Sequence, residues 1–121
     1  MKIDYSKDKL LTEFSMKTLQ DRYMIPGESS PQEAFARAAT AFSDDEDHAQ
    51  RLYDYASNLW FMFATPVLSN GGTERGMPIS CFLNYVEDSR EGITDHYTEN
   101  AYLSSFGGGI GGSWSDVRSQ G

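Results

Sequence analysis

Through the first half of the chain, apolar residues recur at three- and four-residue steps, the spacing of helices with one buried face. Phe14, Leu19 and Tyr23 stand among Lys17, Gln20 and Arg22, which predicts a short helix over residues 13–23 that ends before Pro26-Gly27. Ser30-Pro31-Gln32-Glu33 is a better-defined start. Ser30 is placed to cap free amides, Pro31 suits the first helical position, and Glu33 is placed to bond back to the cap. Ala34, Phe35, Ala38, Ala39 and Phe42 follow on one face. The same capping pattern recurs at Ser43-Asp44-Asp45-Glu46, whose acidic run also complements the positive end of a helix dipole. Ala49, Leu52, Tyr53, Ala56, Leu59, Trp60 and Phe63 then predict a long helix packed into a core.

The pattern changes at Thr65-Pro66, where the residue before proline is pushed towards extended geometry. Asn70-Gly71-Gly72 signals a turn, and Ile79 to Val86 has the density of aliphatic and aromatic residues expected of a largely buried strand, closed by Asp88-Ser89. Gly92 to Phe106 fits a helix with Ile93, Tyr97, Ala101 and Ser104 on one side. The glycine-rich run Gly107 to Gly112 enters a second strand. Strand, crossover helix and strand form a βαβ-like unit, which ordinarily belongs to a larger sheet. The chain stops at Ser119-Gln120-Gly121 without a capping element, so it reads as cut rather than finished.

With 121 residues, the chain has the length of one modest domain, and its seven Tyr, seven Phe and two Trp mark it as globular rather than disordered. A net charge of −8 argues against binding a nucleic acid polymer through its phosphates, although free nucleotides stay open through backbone amides. No stretch approaches the roughly 18 apolar residues of a membrane span, and Met1 to Tyr5 lacks the apolar core of a secretory signal. A cytoplasmic protein without membrane contact is the expectation. The single cysteine, Cys81, excludes an internal disulfide and a cysteine-based metal cluster; no metal site is expected.

A lone cysteine inside a strand is most often a small buried hydrophobe, whereas a working thiol needs an exposed place at a pocket wall. Gly107 to Gly112 satisfies the G-x-G-x-x-G spacing, but it follows a helix and enters a strand, the reverse of a dinucleotide fingerprint. Close approach of backbone to a substrate, or tight packing, is the reading that stays open. Thr65, Ser69 and Ser80 carry hydroxyls suited to phosphate or to capping. His48 and His96 sit among polar residues on expected helix surfaces and receive no function.

The string from Ala64 to Thr73, then Arg75-Gly76, Ile79-Ser80-Cys81-Phe82-Leu83, Asp88-Ser89 and Phe106 to Gly111, resembles the ribonucleotide reductase large subunit. Asp21-Arg22-Tyr23 and Pro31 to Phe35 resemble the early helices of that family, so the likeness covers nearly the whole chain. The implied fold class is α/β: an all-α N-terminal domain over residues 1–64, then the first strand-helix-strand of the ten-stranded α/β reductase barrel over 65–121. By the same resemblance Cys81 is the first of two cysteines that reduce the ribose 2′-position and oxidise together. Thr65, Ser80, Gly108 and Gly109 match positions lining the substrate site. Asp88, Ser89 and Arg118 match an allosteric site for a deoxynucleoside triphosphate.

Further implications concern partners. The radical-bearing cysteine, the second reducing cysteine and the C-terminal cysteine pair of the family are not in this chain, which implies the remainder of the large-subunit barrel as a partner. The chain itself binds no cofactor in this reading. The radical comes from a metal-containing small subunit, or alternatively from cobalamin, and the reductant is of the thioredoxin or glutaredoxin type. The chain starts at the helical domain, so overall on/off control by an N-terminal ATP-binding module is not expected. Residues alone also permit a second reading, a non-catalytic helical interaction module with a buried structural cysteine.

Overall fold

The computed structural model describes residues 1–120 and divides into two compact units, one from Met1 to Pro78 and one beginning at Ile79. The first holds a 3-10 turn, Tyr5–Leu10, and four helices: α1 (Glu13–Arg22), α2 (Pro31–Ala41), α3 (Glu46–Ser57) and α4 (Thr65–Asn70). Helix α2 is the centre, with Ala34, Phe35, Ala38 and Ala39 fully buried against Tyr53 and Ala56 of α3, Leu19 of α1 and Leu68 of α4. Its alanines let neighbouring backbones approach closely, while Phe35 and Tyr53 fill the volume so created.

Helix α2 starts as its sequence dictates. Ser30 accepts from Gln32 N (3.1 Å), and Glu33 reaches back to the backbone amides of Ser29 and Ser30. Those amide bonds hold the Glu33 carboxyl below its ordinary value, because they favour the charged form. A group whose folded value is depressed stabilises above its unfolded value and loses that contribution as pH falls through the folded one. Replacing Glu33 by Ala is therefore expected to lower Tm at pH about 7 and to have a smaller effect at pH about 3, as thermal melts at the two pH values would show.

Two polar devices bind the unit together. Gln32 accepts from the Tyr53 hydroxyl (3.0 Å) and donates to Asp8 (2.9 Å), which also accepts from Ser30 (2.7 Å); Tyr53 in turn accepts from the Asp4 amide (2.9 Å). The N-terminal turn is thus fastened to α2 and α3 through satisfied buried groups. The second device is Arg37. Its Nε donates to Glu28 (2.6 Å), Nη1 to the carbonyls of Leu68 (2.9 Å) and Gly71 (2.6 Å), and Nη2 to that of Tyr23 (3.1 Å). One guanidinium therefore serves the carbonyl ends of α1 and α4, where helix ends leave acceptors unpaired.

Several expectations are corrected here. Helix α3 is capped by Asp45, which accepts from His48 N (2.7 Å), while Ser43 donates instead to the Thr40 carbonyl (3.2 Å). The helix ends at Ser57, short of Phe63, because Leu59 turns into the left-handed region at φ 61° and leaves Trp60 72% exposed. Thr65-Pro66 opens α4, where proline early in a helix forfeits no hydrogen bond. Phe14, placed on the buried face of α1 by its spacing, is exposed. Leu68 of α4 belongs to the core of the first unit.

The second unit contains β1 (Cys81–Tyr85), α5 (Arg90–Ser105) and β2 (Gly109–Ser113). The strands pair in parallel, with Cys81 opposite Gly109 and Tyr85 opposite Ser113. Ser89 caps α5 by accepting from Gly92 N (2.9 Å). Strand β1 is not largely buried as its composition suggests: Leu83 is 84% exposed, and Cys81 and Tyr85 are exposed with it. Alternation places Phe82 and Asn84 on the other face, where Asn84 bonds to α5. The inward face of α5 runs through Ile93, His96, Asn100 and Leu103, whereas Tyr97, Ala101 and Ser104 are exposed. Gly121, the last residue of the expected barrel segment, lies outside the described residues.

Candidate functional site

Cys81 is exposed at the start of β1, on the face turned away from Asn84 and α5. This overturns the reading of it as a buried structural cysteine, because among the described residues nothing covers that face and the thiol is open to solvent. The Ser80 hydroxyl lies 3.7 Å from Sγ, and the Ser80 carbonyl accepts from Gly109 N (2.7 Å), the first rung of the ladder. Ser80, Cys81, Gly108 and Gly109 are thus neighbours at one end of the two-stranded sheet. Gly108 is a glycine for a packing reason, since a Cβ there would run into the Phe82 ring. Gly107 adopts φ +80°, the left-handed turn that takes the chain from α5 into β2.

Asp88, Ser89 and Arg118 also come together, although Asp88 and Arg118 are far apart in sequence. Arg118 donates through Nε to Asp88 Oδ2 (2.8 Å) and through its backbone amide to Oδ1 (3.4 Å). The Arg118 side chain remains 78% exposed, so its guanidinium stays open to an anionic ligand while Asp88 orients it. Ser89 is occupied as the α5 cap, and its hydroxyl hydrogen is free to donate elsewhere. The Tyr85 hydroxyl donates to Asp116 (2.7 Å), which holds the phenol above its ordinary value, and it anchors the segment between β2 and Arg118.

Thr65 lies in the first unit, at the start of α4. Its hydroxyl is 3.1 Å from that of Tyr23, on the wall of a cavity of about 330 Å³ lined largely by Leu11, Leu19, Met62, Phe63 and Leu68. Sequence reasoning missed His96, which is only 6% exposed beneath β2. The spacing Ile93, His96, Asn100, Leu103 was the available signal, masked because two of the four are polar.

Comparison with known proteins bears on the family and the fold. Residues 9–76 match the ribonucleotide reductase all-alpha domain, and residues 79–121 match the ribonucleotide reductase barrel domain. The chain is 45% identical over 109 residues to the ribonucleoside-diphosphate reductase large subunit of Invertebrate iridescent virus 6, covering 90% of this chain and 11% of that protein. It is 48% identical over 110 residues to the large subunit of Invertebrate iridescent virus 3, covering 90% of this chain and 18% of that one. The class Id ribonucleotide reductase alpha subunit of Actinobacillus ureae superposes with a TM-score of 0.79 at 30% identity, over 98% of this chain and 22% of that structure.

Helical unit and strand-helix-strand unit therefore define an α/β assembly of reductase type. The chain belongs to the ribonucleotide reductase large-subunit family, with the all-alpha domain followed by the opening of the barrel. It spans less than a fifth of the length of the two viral relatives.

Proposed function

We propose that this chain is the part of a ribonucleoside-diphosphate reductase large subunit that supplies one of the two reducing thiols and a portion of the substrate and effector sites. The observation that carries the reading is the exposure of Cys81 on an open strand face beside Ser80 and the Gly108-Gly109 backbone. Reduction at the ribose 2′-carbon consumes two thiol hydrogens, forms one disulfide and releases the 2′-hydroxyl as water. As the chain holds one cysteine, the second thiol comes from the remainder of the barrel. A metal-containing small subunit would supply the radical, with cobalamin the alternative, and a thioredoxin- or glutaredoxin-type reductant would restore the dithiol. The setting that suits such a cycle is the reducing cytoplasm.

Within this reading Thr65, Ser80, Gly108 and Gly109 face the nucleotide with hydroxyls and backbone amides. Asp88, Ser89 and Arg118 hold a deoxynucleoside triphosphate effector. Support for the latter is the Asp88–Arg118 pair, which joins two of the three residues and leaves an exposed guanidinium for phosphate.

The test is thiol trapping. The native assembly containing this chain is given a ribonucleoside diphosphate, the radical source and no external reductant, then alkylated and digested. The Cys81 peptide is expected to resist alkylation after turnover and to regain reactivity with dithiothreitol. A Cys81 that stays fully alkylatable after deoxynucleotide has formed would overturn the proposal.

A further inference from the structure

The turn that follows α4 hangs on one side chain. Asn70 ends the helix, and its carbonyl accepts from the Thr73 amide (3.0 Å) and the Thr73 hydroxyl (2.7 Å). Its side-chain Nδ2 donates to the Met77 carbonyl (2.9 Å), so segment 71–77 is closed with both ends on the same residue. A backbone carbonyl only accepts, which fixes the amide nitrogen as the atom turned towards Met77. Gly76 makes room for the contact: it adopts φ 60°, and a Cβ there would stand 2.7 Å from Asn70 Nδ2.

Asn70 is followed by Gly71, and an asparagine before glycine has a chemistry of its own. With no Cβ on the second residue, little hinders its amide nitrogen from reaching the asparagine side-chain carbon. In the general reaction that nitrogen attacks Cγ, the N–Cγ bond forms, the Cγ–Nδ2 bond breaks, and Nδ2 leaves as ammonia with the amide proton. Water then opens the cyclic imide to aspartate or isoaspartate; nothing is oxidised or reduced. In this fold both reacting nitrogens are engaged. Gly71 N donates to the Val67 carbonyl (2.9 Å), Arg37 Nη1 donates to the carbonyl of the buried Gly71 (2.6 Å), and Asn70 Nδ2 is held by Met77. Turning Gly71 N onto Cγ costs the Val67 bond, and expelling Nδ2 costs the Met77 bond.

We propose that Asn70-Gly71 is a deamidation site gated by the Asn70–Met77 clasp: the closed loop holds the reaction back, local opening lets it proceed, and the product keeps the loop open. The last step follows from the donor count. A carboxylate at position 70 has only acceptors to offer the Met77 carbonyl, so the clasp does not re-form. Its charge also lies at the carbonyl end of α4, where a negative group is unfavourable. Isoaspartate further lengthens the backbone between α4 and Gly71, which breaks the bond from Gly71 N to Val67. The proposal concerns neither the thiol nor the effector residues, so it stands whether or not the reductase reading does.

The test follows deamidation at Asn70 by mass spectrometry in the full chain, in mildly alkaline buffer, with and without unfolding urea. The folded chain is expected to deamidate about tenfold or more slowly than the unfolded one. Gly76→Ala crowds the clasp without touching the reacting pair and is expected to raise the rate in the folded chain severalfold, with its melt otherwise retained. Asn70→Asp stands in for the product. Trypsin is expected to cut it after the exposed Arg75 about tenfold faster than the parent, while cleavage after Arg37, in the core helix, is unchanged. Equal rates in folded and unfolded chain, a folded Gly76→Ala no faster than the parent, or an Arg75 bond equally resistant in Asn70→Asp would each overturn the proposal. The first two comparisons do not depend on whether Asn70→Asp folds.

Discussion

Substituting Cys81 by Ser in the assembled reductase is expected to reduce turnover by about 10³-fold or more, while thermal stability of the chain stays within about 0.5 kcal/mol of the parent. The two halves of this expectation have separate causes. Cys81 is exposed and packs no core, so exchanging sulfur for oxygen removes little from the folded state. A hydroxyl, however, gives up a hydrogen atom far less readily than a thiol and forms no disulfide, so the proposed two-electron reduction would lack its donor. Steady-state deoxynucleotide formation and a parallel melt are the measurements. Retained turnover would take Cys81 out of the chemistry, and a large loss of stability would return it to a structural role.

For Arg37 the expectation is reversed, with stability lost although no reacting group is touched. Arg37→Ala should destabilise the chain by about 3–5 kcal/mol in urea unfolding, because it leaves the largely covered Glu28 with only the Ile25 amide and the Tyr23, Leu68 and Gly71 carbonyls without their donor. Against a typical total of about 5–15 kcal/mol, that is enough to populate unfolded chain at physiological temperature. Arg37→Lys keeps the charge but offers no planar fork for four acceptors, so an intermediate loss is expected. Adding Glu28→Gln to Arg37→Ala should recover part of the deficit by removing the uncompensated carboxylate. An Arg37→Ala chain as stable as the parent would show that solvent replaces the guanidinium at the helix ends.

The helix starts were legible because capping is local: Ser30, Pro31 and Glu33 act within one turn of chain. The parallel pairing of β1 and β2 was legible from a strand, a helix and a glycine-rich strand in succession. The end of α3 was not, since apolar spacing continues to Phe63 although Leu59 leaves helical geometry. Nor was the inward face of α5, where His96 and Asn100 take places that hydrophobic residues ordinarily hold. Among site residues, the neighbourhood of Cys81, Ser80 and the glycines follows from strand register. The Asp88–Arg118 pair depends on a turn whose course is set by Trp114 and Asp116, far from either residue's own sequence context.

The ladder between the strands divides the labour of the open face. Residues paired in a parallel ladder point the same way, so Cys81 and Leu83 stand beside Gly109 and Gly111, which add no side chain there. Beside Cys81 and Leu83 the second strand contributes only backbone, and its one side chain on this face is Ser113, opposite Tyr85. A floor made of backbone has no side chain to exchange, and any replacement can only add bulk to it; at Gly111 the first added carbon would already press on Leu83, 2.9 Å away. The side chains nearest the thiol on this face therefore come from β1 and the turns around it.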